Sequence, residues 1–448
     1  MNGYLTRVAD FAASISFDSM PDVVRERARL LLADCLPVIG TGMQVDEMRR
    51  FTELQLAGAA PGPAWVIGIG RRARADQAAF LNGMAGTWLE LNEGNLLARG
   101  HPSIQVLPAA IASAQSLGAS GRELLCAIVV GYETCARLAR AADVRLSIHP
   151  HGTWGVIGAA VAVARLKRFN ASQIASAINQ AATLGLATSR QTLLEGATVR
   201  NPFTGHSGHM GIAVTQMVEA GFTGLADGPS ALFASVISDR FDPDHVIAGL
   251  GEEWLIPHGY MKLNPTGRYV HAAFDALDDA LTGHEPVDVA AIERIDVRAY
   301  KLAGMLKNQT ITSSFGARFS IPFALATRLV HGTAWLEAFD QQAVDNPAVQ
   351  ALARRIFVVE DPAHTAAYPA TQRCDLTIHF AGGATASGHC EIMRGELANP
   401  YPDGALRDKF FRLAVPLWGE STSHALYDAC MSGELITDFA QFSARLTI

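Results

Sequence analysis

The segment Trp154-Gly-Val-Ile-Gly-Ala-Ala-Val-Ala-Val-Ala-Arg-Leu166 is the longest apolar run in this chain of 448 residues. Its small residues and its lack of a polar face predict a helix that is buried on all sides among other helices. The run ends at Lys167 and is shorter than the roughly 20 apolar residues that span a bilayer. It therefore predicts the core of a soluble, closely packed helical protein.

Helical spacing of apolar residues extends outward from this run over most of the first 260 residues. Ser120 with Glu123, and Asn170 with Gln173, have the spacing of a capping box, which predicts helix starts at both places. The predicted helices are Val23–Leu36, Gln77–Leu91, a helix over Val106–Leu117 that Pro108 helps to start, Glu123–Ala141, Gly152–Leu166, Ala171–Leu186 and Ser207–Ala220.

The pattern changes after Pro265, where polar and β-branched residues alternate as in half-buried strands. The predicted strands are Ile292–Tyr300, Arg355–Glu360, Arg373–Phe380 and Ala384–Glu391, with Gly382-Gly383 as a tight turn between the last two. Helical spacing returns from Leu406 to Ile448. We therefore predict a mainly α fold: a large all-helical domain over residues 1–262 and 400–448, with a smaller α+β lid domain inserted at 263–399.

Composition excludes several classes of function. The net charge is −7, and basic residues are not clustered, so we expect neither a nucleic-acid nor a membrane partner. No export signal opens the chain, and the six cysteines form no Cys-x-x-Cys pair, which predicts reduced thiols in a cytoplasmic protein. No dinucleotide-binding βαβ unit surrounds Gly68 and Gly70, and no Gly-x-Ser-x-Gly elbow of a serine hydrolase is present.

Two polar segments in the first half carry candidate catalytic groups. The first, Thr87 to Ser103, contains His101, whose side-chain type has an ordinary pKa near neutrality, and Glu90, which could orient it for general acid–base work. The second contains His149 directly before a Gly-rich helix start whose free N–H groups suit a carboxylate. Solvated loops and ordinary helix caps are the alternative interpretation of both segments.

Two further segments offer cations. Arg200 has a planar fork for a carboxylate, and Lys262 and Arg268 flank a Pro-Thr-Gly turn at the expected junction of the domains, where ligands often bind. A competing hypothesis is a metal-dependent hydrolase, whose candidate ligands are His149, His151, His206 and His209. The His-x-x-His spacing without a nearby Glu makes metal binding the weaker interpretation, and we expect no metal.

The order of several short motifs resembles the MmgE/PrpD family nearly from end to end. These motifs are Glu90 to Ser103, Gly131-Tyr-Glu133, His149 before Gly152–Gly158, Ala220-Gly-Phe-Thr-Gly224, Lys262 with Pro265 and His271, and Ala317-Arg-Phe-Ser-Ile-Pro-Phe323. The family includes 2-methylcitrate dehydratase, cis-aconitate decarboxylase and iminodisuccinate epimerase. The resemblance implies a homodimer with a cleft between two domains, and catalysis without any cofactor.

The resemblance also implies roles for individual residues. The expected catalytic residues are His101, His149, Lys262 and Glu90, and the expected substrate-binding residues are Ser103, Arg200, Arg268 and His271. The expected substrate is a small di- or tricarboxylic acid, from which a proton is removed beside a carboxylate.

Four departures from the family pattern bear on the reaction. The family's Asp-Phe-Asp-Asp-Thr reads Glu90-Leu-Asn-Glu-Gly94, a usual lysine is Arg200, and positions that are often His and Tyr read Gly267 and Phe323. We therefore predict a lyase of the dehydratase type, with an epimerase as the main alternative and decarboxylation ranked lower. A metal-dependent hydrolase and a non-catalytic scaffold dimer complete the set of alternatives.

Overall fold

A computed structural model describes residues 3–283 and 287–444. The outer ends of the predicted helical domain at 1 and 448, and the last residues of the predicted helical tail, lie outside this description. Among the described residues, no helix is both long enough and apolar enough to traverse a bilayer.

The first half of the chain is built mainly from helices, as the sequence predicts. The helices are α1 Gly3–Ser14, α2 Asp22–Met43, α3 Asp46–Leu56, α4 Ala75–Trp88, α5 Pro102–Leu117, α6 Gly121–Arg140, α7 Gly155–Leu166, α8 Ala171–Thr183, α9 Gln191–Leu194, α10 Pro202–Glu219, α11 Gly228–Leu232 and α12 Pro243–Ile247. Both predicted capping boxes are present, at Ser120 and at Asn170.

Helix α7, which holds the long apolar run, is the buried centre of this half. All of its residues except Arg165 are buried, and it packs against α5, α6, α8 and α10. A Cβ atom at Gly131 of α6 would lie 2.6 Å from the carbonyl oxygen of Gly158, so α6 and α7 approach backbone to backbone. Small residues on both helices allow this contact.

Several details of the prediction are wrong. Helix α2 continues to Met43 instead of ending at Leu36, and α10 begins at Pro202 instead of Ser207. Helix α5 begins at Pro102 and contains Pro108 in its interior; Pro102 takes the first helical position, where proline's missing N–H costs nothing. The first half is also not strictly helical, because it contains three short two-stranded ladders. Their strands are β1 Ala64–Val66, β2 Arg71–Ala73, β3 Gly94–Asn95, β4 Ala142–Val144, β5 Ser238–Phe241 and β6 Gly259–Tyr260, paired β1 with β2, β3 with β6, and β4 with β5.

The second half contains a four-stranded sheet in the order β10-β9-β7-β8. Its strands are β7 Ile292–Ala299, β8 Ile356–Glu360, β9 Cys374–Phe380 and β10 Thr385–Cys390. All four were predicted within one residue of each end. The strands β7 and β8 are parallel and the other pairs antiparallel. The turn between β9 and β10 requires positive φ at Gly382 and Gly383, 87° and 89°, which glycine adopts readily.

Helices cover this sheet, and two more close the chain. They are α13 His271–Ala280, α14 Lys301–Gly304, α15 Ser314–Ala317, α16 Ile321–His331, α17 Gln341–Val344, α18 Pro347–Ala353, α19 Pro362–Ala367, α20 Ala405–Met431 and α21 Phe439–Ser443. Buried apolar residues form one large core from the first half together with α20 and α21, and a second core around the sheet. The mainly α fold is confirmed, whereas the domain boundaries at 263 and 399 and the lid role of residues 263–399 stay predictions.

Candidate functional site

Short elements bring the polar segments of the sequence together. The ladder between β3 and β6 pairs Gly94 with Tyr260, which places the acidic patch beside the strand that precedes Lys262. Gly94 cannot carry a side chain, because a Cβ atom there would lie 2.8 Å from Nδ1 of His101 and closer still to the Tyr260 hydroxyl. His101 itself is the N-cap residue of α5.

A narrow cavity of about 50 Å³ lies where these elements meet residues of the second core. Five of the predicted site residues line it: Glu90, His101, His149, Arg200 and Arg268. The other lining residues are Asn95, Leu96, Arg99, Gly100, Pro150, His151, Arg190, Leu193, Tyr260, Gly267, Tyr269, Leu306, Phe319 and Tyr368.

Glu90 is the centre of a buried charge cluster. Its Oε1 lies 2.6 Å from Nη1 of Arg200 and its Oε2 lies 3.5 Å from Nζ of Lys262, and each of the three side chains is at most 1% exposed. Burial raises the pKa of Glu90, but the charges of Arg200 and Lys262 outweigh it and lower the pKa to about 2. The carboxylate is therefore ionised at neutral pH.

The backbone of Glu90 has an unusual conformation. The residue follows the end of α4 and has a φ of 53°, a left-handed conformation that is unfavourable for a residue with a Cβ atom. Such outliers persist where the surrounding structure holds them, often at functional sites. The ion pairs with Arg200 and Lys262 stabilise it here.

Lys262 is completely buried beside the Glu90 carboxylate and is not among the residues that line the cavity. Burial lowers the pKa of its ammonium group to about 8, against the opposing effect of Glu90. Lys262 is consequently cationic at pH 7 and loses its proton just above neutrality. A group with this pKa can serve as a proton donor near pH 7.

His101 has a fixed tautomer. Its Nδ1 lies 2.7 Å from the carbonyl oxygen of Glu93; since a carbonyl only accepts, Nδ1 carries the hydrogen and Nε2 holds the lone pair. Burial and then the charge of Lys262 lower the pKa of His101 to about 3. The ring is thus neutral, with a basic nitrogen that has no hydrogen-bond partner within residues 3–283 and 287–444.

His149 has different neighbours, although it lines the same cavity. Its Nε2 accepts a hydrogen bond of 3.0 Å from Nε of Arg200, and the backbone N–H of His151 lies 3.1 Å from its Nδ1. Both ring nitrogens therefore face donors. Burial and then the charges of Arg200 and Arg190 lower the pKa of His149. This geometry suits a residue that positions Arg200 better than one that moves a proton.

A second buried carboxyl group lies behind His101. Glu93 accepts hydrogen bonds from the Tyr132 hydroxyl at 2.6 Å and from the Ser103 backbone N–H at 3.2 Å. Burial raises the pKa of Glu93 to about 7 in spite of the hydrogen bonds from Ser103 and Tyr132. Because the carbonyl oxygen of Glu93 also fixes His101, this residue couples the Gly131-Tyr-Glu133 motif to the candidate base.

Three of the predicted substrate-binding residues have other contacts. Ser103 is buried at the start of α5 and does not line the cavity. Arg268 lines it but donates to Glu396 at 2.7 Å and to the carbonyl oxygen of Arg394 at 3.0 Å. His271 is buried at the start of α13 and is not among the lining residues. Their contact with a substrate stays a prediction.

The four histidines of the metal hypothesis are split between two places. The rings of His149 and His151 are 4.7 Å apart, whereas His206 bonds the carbonyl oxygen of Leu184 and His209 lies 3.9 Å from Asp76. Within the described part of the chain, no group of three or more His, Cys, Asp or Glu residues is arranged to hold a metal ion. The geometry gives this hypothesis no support.

Sequence reasoning did not select several residues in or beside the cavity for proton transfer or substrate binding. His151 was considered only as a metal ligand, and Glu93, which contacts His101 but does not line the cavity, belongs to the Glu90 to Ser103 motif. The dense polar spacing was a usable signal for both. Arg190, Phe319 and Tyr368 carried no local signal, because only tertiary contacts bring them to the cavity.

Comparison with known proteins gives a consistent result over nearly the whole chain. The profile of the MmgE/PrpD N-terminal domain matches residues 6–242, and that of the MmgE/PrpD C-terminal domain matches residues 265–432. A protein named cis-aconitate decarboxylase from Aspergillus terreus is 22% identical, covering 98% of this chain and 95% of the relative. One of the same name from Mus musculus is 23% identical, covering 88% and 83%. This chain belongs to the MmgE/PrpD family.

Proposed function

We propose that this protein is a cofactor-independent lyase that acts by proton transfer at a carbon beside a carboxylate of a small polycarboxylic acid. The observation that carries the proposal is the presence, in one cavity, of a neutral histidine with a free Nε2 and of Arg200, while the buried cation Lys262 lies beside the Glu90 carboxylate of the cavity wall. Membership of the MmgE/PrpD family supports the same class of chemistry.

His101 is the proposed base. Its pKa of about 3 makes it a weak base in the empty cavity, but a bound polycarboxylate adds negative charge close to the ring. Negative charge stabilises the imidazolium form and raises its pKa toward the range that suits general base catalysis. Binding of substrate therefore activates the base.

Arg200 and Lys262 are the proposed stabilisers of charge. Removing a proton beside a carboxylate places negative charge on the carboxylate oxygens, and fixed cations lower the energy of that state. Glu90 holds the two cations in place before substrate binds. Arg200 also receives support from His149, so its orientation does not depend on the substrate.

In the dehydration that we propose, Nε2 of His101 takes the proton from the carbon, and the C–H electron pair forms the new C=C bond. The bond between the neighbouring carbon and its hydroxyl group breaks, and Lys262 donates a proton so that water leaves. The products are an unsaturated acid and water, with His101 protonated and Lys262 neutral until they exchange protons with solvent.

Decarboxylation is the second candidate, and the names of the relatives favour it. In that reaction the C–C bond to one carboxylate breaks, carbon dioxide leaves, and the electron pair on carbon takes a proton from His101 in its imidazolium form. The same cations stabilise the intermediate. Both reactions need the proton carrier that we assign to His101.

The test is a panel of di- and tricarboxylates incubated with purified protein in heavy water. Proton–deuterium exchange beside a carboxylate, read by nuclear magnetic resonance, supports the proposal. Formation of an unsaturated acid without gas identifies dehydration, and release of carbon dioxide identifies decarboxylation. Inversion at the carbon without loss of any group would identify an epimerase instead, and no exchange with any acid would contradict the proposal.

A homodimer and a cytoplasmic location are parts of the same proposal, and both rest on the family resemblance and the composition. Sedimentation of the purified protein measures the first, and fractionation of cells measures the second.

A further inference from the structure

The cavity has an uneven distribution of charge. At the end that holds His101, Arg200 and Lys262 carry two positive charges against the single negative charge of Glu90. Arg318 adds a further buried cation behind them, where it donates to the carbonyl oxygens of Leu89 and Pro265. This end attracts one carboxylate of a ligand.

Another cation, Arg190, lies on the wall of the same cavity. Arg190 donates to the carbonyl oxygens of Leu146 at 2.6 Å and Ile148 at 3.1 Å. No carboxylate pairs with it among the residues that the structure describes. Its charge contributes to lowering the pKa of His149 after burial and Arg200, so the two arginines lie within electrostatic reach of one ring.

The other cations of the wall have acidic partners. Arg268 forms a 2.7 Å ion pair with Glu396, and Arg99, whose side chain is half exposed to solvent, shares Asp143 with Arg240. A carboxylate that approached either arginine would also meet its acidic partner. The cavity therefore offers two places for a carboxylate: one at Arg200, where the buried Lys262 on the other side of Glu90 leaves a net positive charge, and one at Arg190.

The side of the wall that the second core forms is apolar and aromatic. Leu193 packs against the second core, to which Leu306, Phe319 and Tyr368 also belong or attach. Phe319 fills the space in front of Gly267, where a Cβ atom would lie 2.9 Å from its Cδ1. This wall offers no cation to a third carboxylate, and burying an unpaired carboxylate is strongly unfavourable.

We propose that the substrate of this chain is a dicarboxylate with an apolar substituent, whose carboxylates bind at Arg200 and at Arg190 while the substituent contacts Leu193, Leu306 and Phe319. The inference rests on the proposed function and narrows its substrate class. It assigns Arg190 as a residue that determines specificity.

Two ligands of equal size test the proposal with the unaltered protein. Tricarballylate is succinate with a carboxymethyl group, and 2-isobutylsuccinate carries an isobutyl group with the same number of non-hydrogen atoms. Titration calorimetry at pH 7 should give a dissociation constant for the better enantiomer of 2-isobutylsuccinate at least about tenfold below that of tricarballylate. Equal affinities, or tighter binding of tricarballylate, would overturn the proposal.

Arg190→Gln tests the second carboxylate position. It should weaken binding of 2-isobutylsuccinate by about tenfold or more, because a charge-assisted contact is lost, and leave the monocarboxylate 5-methylhexanoate unchanged. Arg145→Gln is the matched control: Arg145 also donates to a backbone carbonyl, that of Val236, but it lies outside the cavity. Unchanged binding of the dicarboxylate to the Arg190 variant would refute the assignment.

The outcomes separate this inference from the proposed function. Deuterium exchange into tricarballylate without any preference for 2-isobutylsuccinate would retain the lyase chemistry and reject the substrate class. Tight binding of 2-isobutylsuccinate without exchange into any acid would retain the binding site and reject the lyase. Since neither ligand carries a leaving group, their binding is measured without turnover.

Discussion

Replacing Glu90 with glutamine should destabilise the protein strongly. The pKa of Glu90 falls from its usual 4.5 to about 2, and a difference of that size corresponds to about 3 kcal/mol of favourable interaction with the charged form. Removing one member of a buried ion pair generally costs about 3–5 kcal/mol, because the partner charges remain buried. Both arguments give the same magnitude for Glu90→Gln at pH 7.

The pH dependence of this contribution follows from the direction of the shift. Because the folded-state pKa of Glu90 lies below its unfolded value, the stabilisation is complete above about pH 4.5 and is lost as the pH falls toward about 2. Glu90→Gln should therefore lose this acid-dependent part of the free energy of unfolding. At pH 7 it should unfold at clearly lower urea concentration, followed by circular dichroism.

Glu337→Gln provides the matched control, because Glu337 forms a 3.3 Å ion pair with Arg412 in which both side chains are more than half exposed. Such surface pairs contribute at most about 1 kcal/mol. If Glu90→Gln unfolds within about 1 kcal/mol of the unaltered protein, the cluster is not the stabilising unit that its geometry indicates.

Three further outcomes test the site. His101→Ala should lower kcat by at least about a hundredfold with an unchanged circular dichroism spectrum, and near-normal turnover would exclude His101 as the proton carrier. Turnover should decline as the pH rises through about 8, because Lys262 then loses its proton; a rate that stays constant from pH 7 to 10 would argue against this donor. Tyr132→Phe removes a hydrogen bond that lowers the pKa of Glu93, so a buried carboxyl band in the infrared spectrum should titrate at higher pH than in the unaltered protein.

The fold was predictable where local sequence determines it. Helix α7 and the hairpin of β9 and β10 have continuous apolar or alternating patterns, and both lie as predicted. The ladder of β3 and β6 has only two residues in each strand, so no periodicity could reveal it. The start of α5 was missed because Pro102 and Pro108 carry the same local signal, and only the tertiary packing distinguishes an opening proline from an interior one.

The site was predictable in part for a similar reason. Glu90, Arg200 and Lys262 stood out as polar residues within apolar sequence, and the structure brings the charged groups of Arg200 and Lys262 within 3.5 Å of the Glu90 carboxylate. The local sequence and the family resemblance both selected His101 and His149 as candidate catalytic residues. Neither could distinguish their roles, because spacing does not determine which ring nitrogen meets an arginine. Arg190 and Leu193 reach the cavity through contacts of α9 with the second core, which a linear pattern does not record.

The contacts of Arg200 bear on the different roles that we propose for His101 and His149. Its Nη1 pairs with Glu90 while its Nε donates to His149, and a lysine, with a single ammonium group, cannot match this fork. In the proposed mechanism His149 therefore supports Arg200, and the Nε2 of His101 transfers the proton.

A double-mutant cycle tests this coupling. Arg200→Lys should weaken binding of succinate, measured by calorimetry, because the fork is lost. His149→Phe should also weaken it when Arg200 is present, because the Nε–H of the arginine loses its buried acceptor, at a cost of about 1–3 kcal/mol. With lysine at position 200 that donor is absent, so His149→Phe should have a much smaller effect. Strict additivity of the two changes would show that His149 acts independently of Arg200, and would restore it as a candidate for proton transfer.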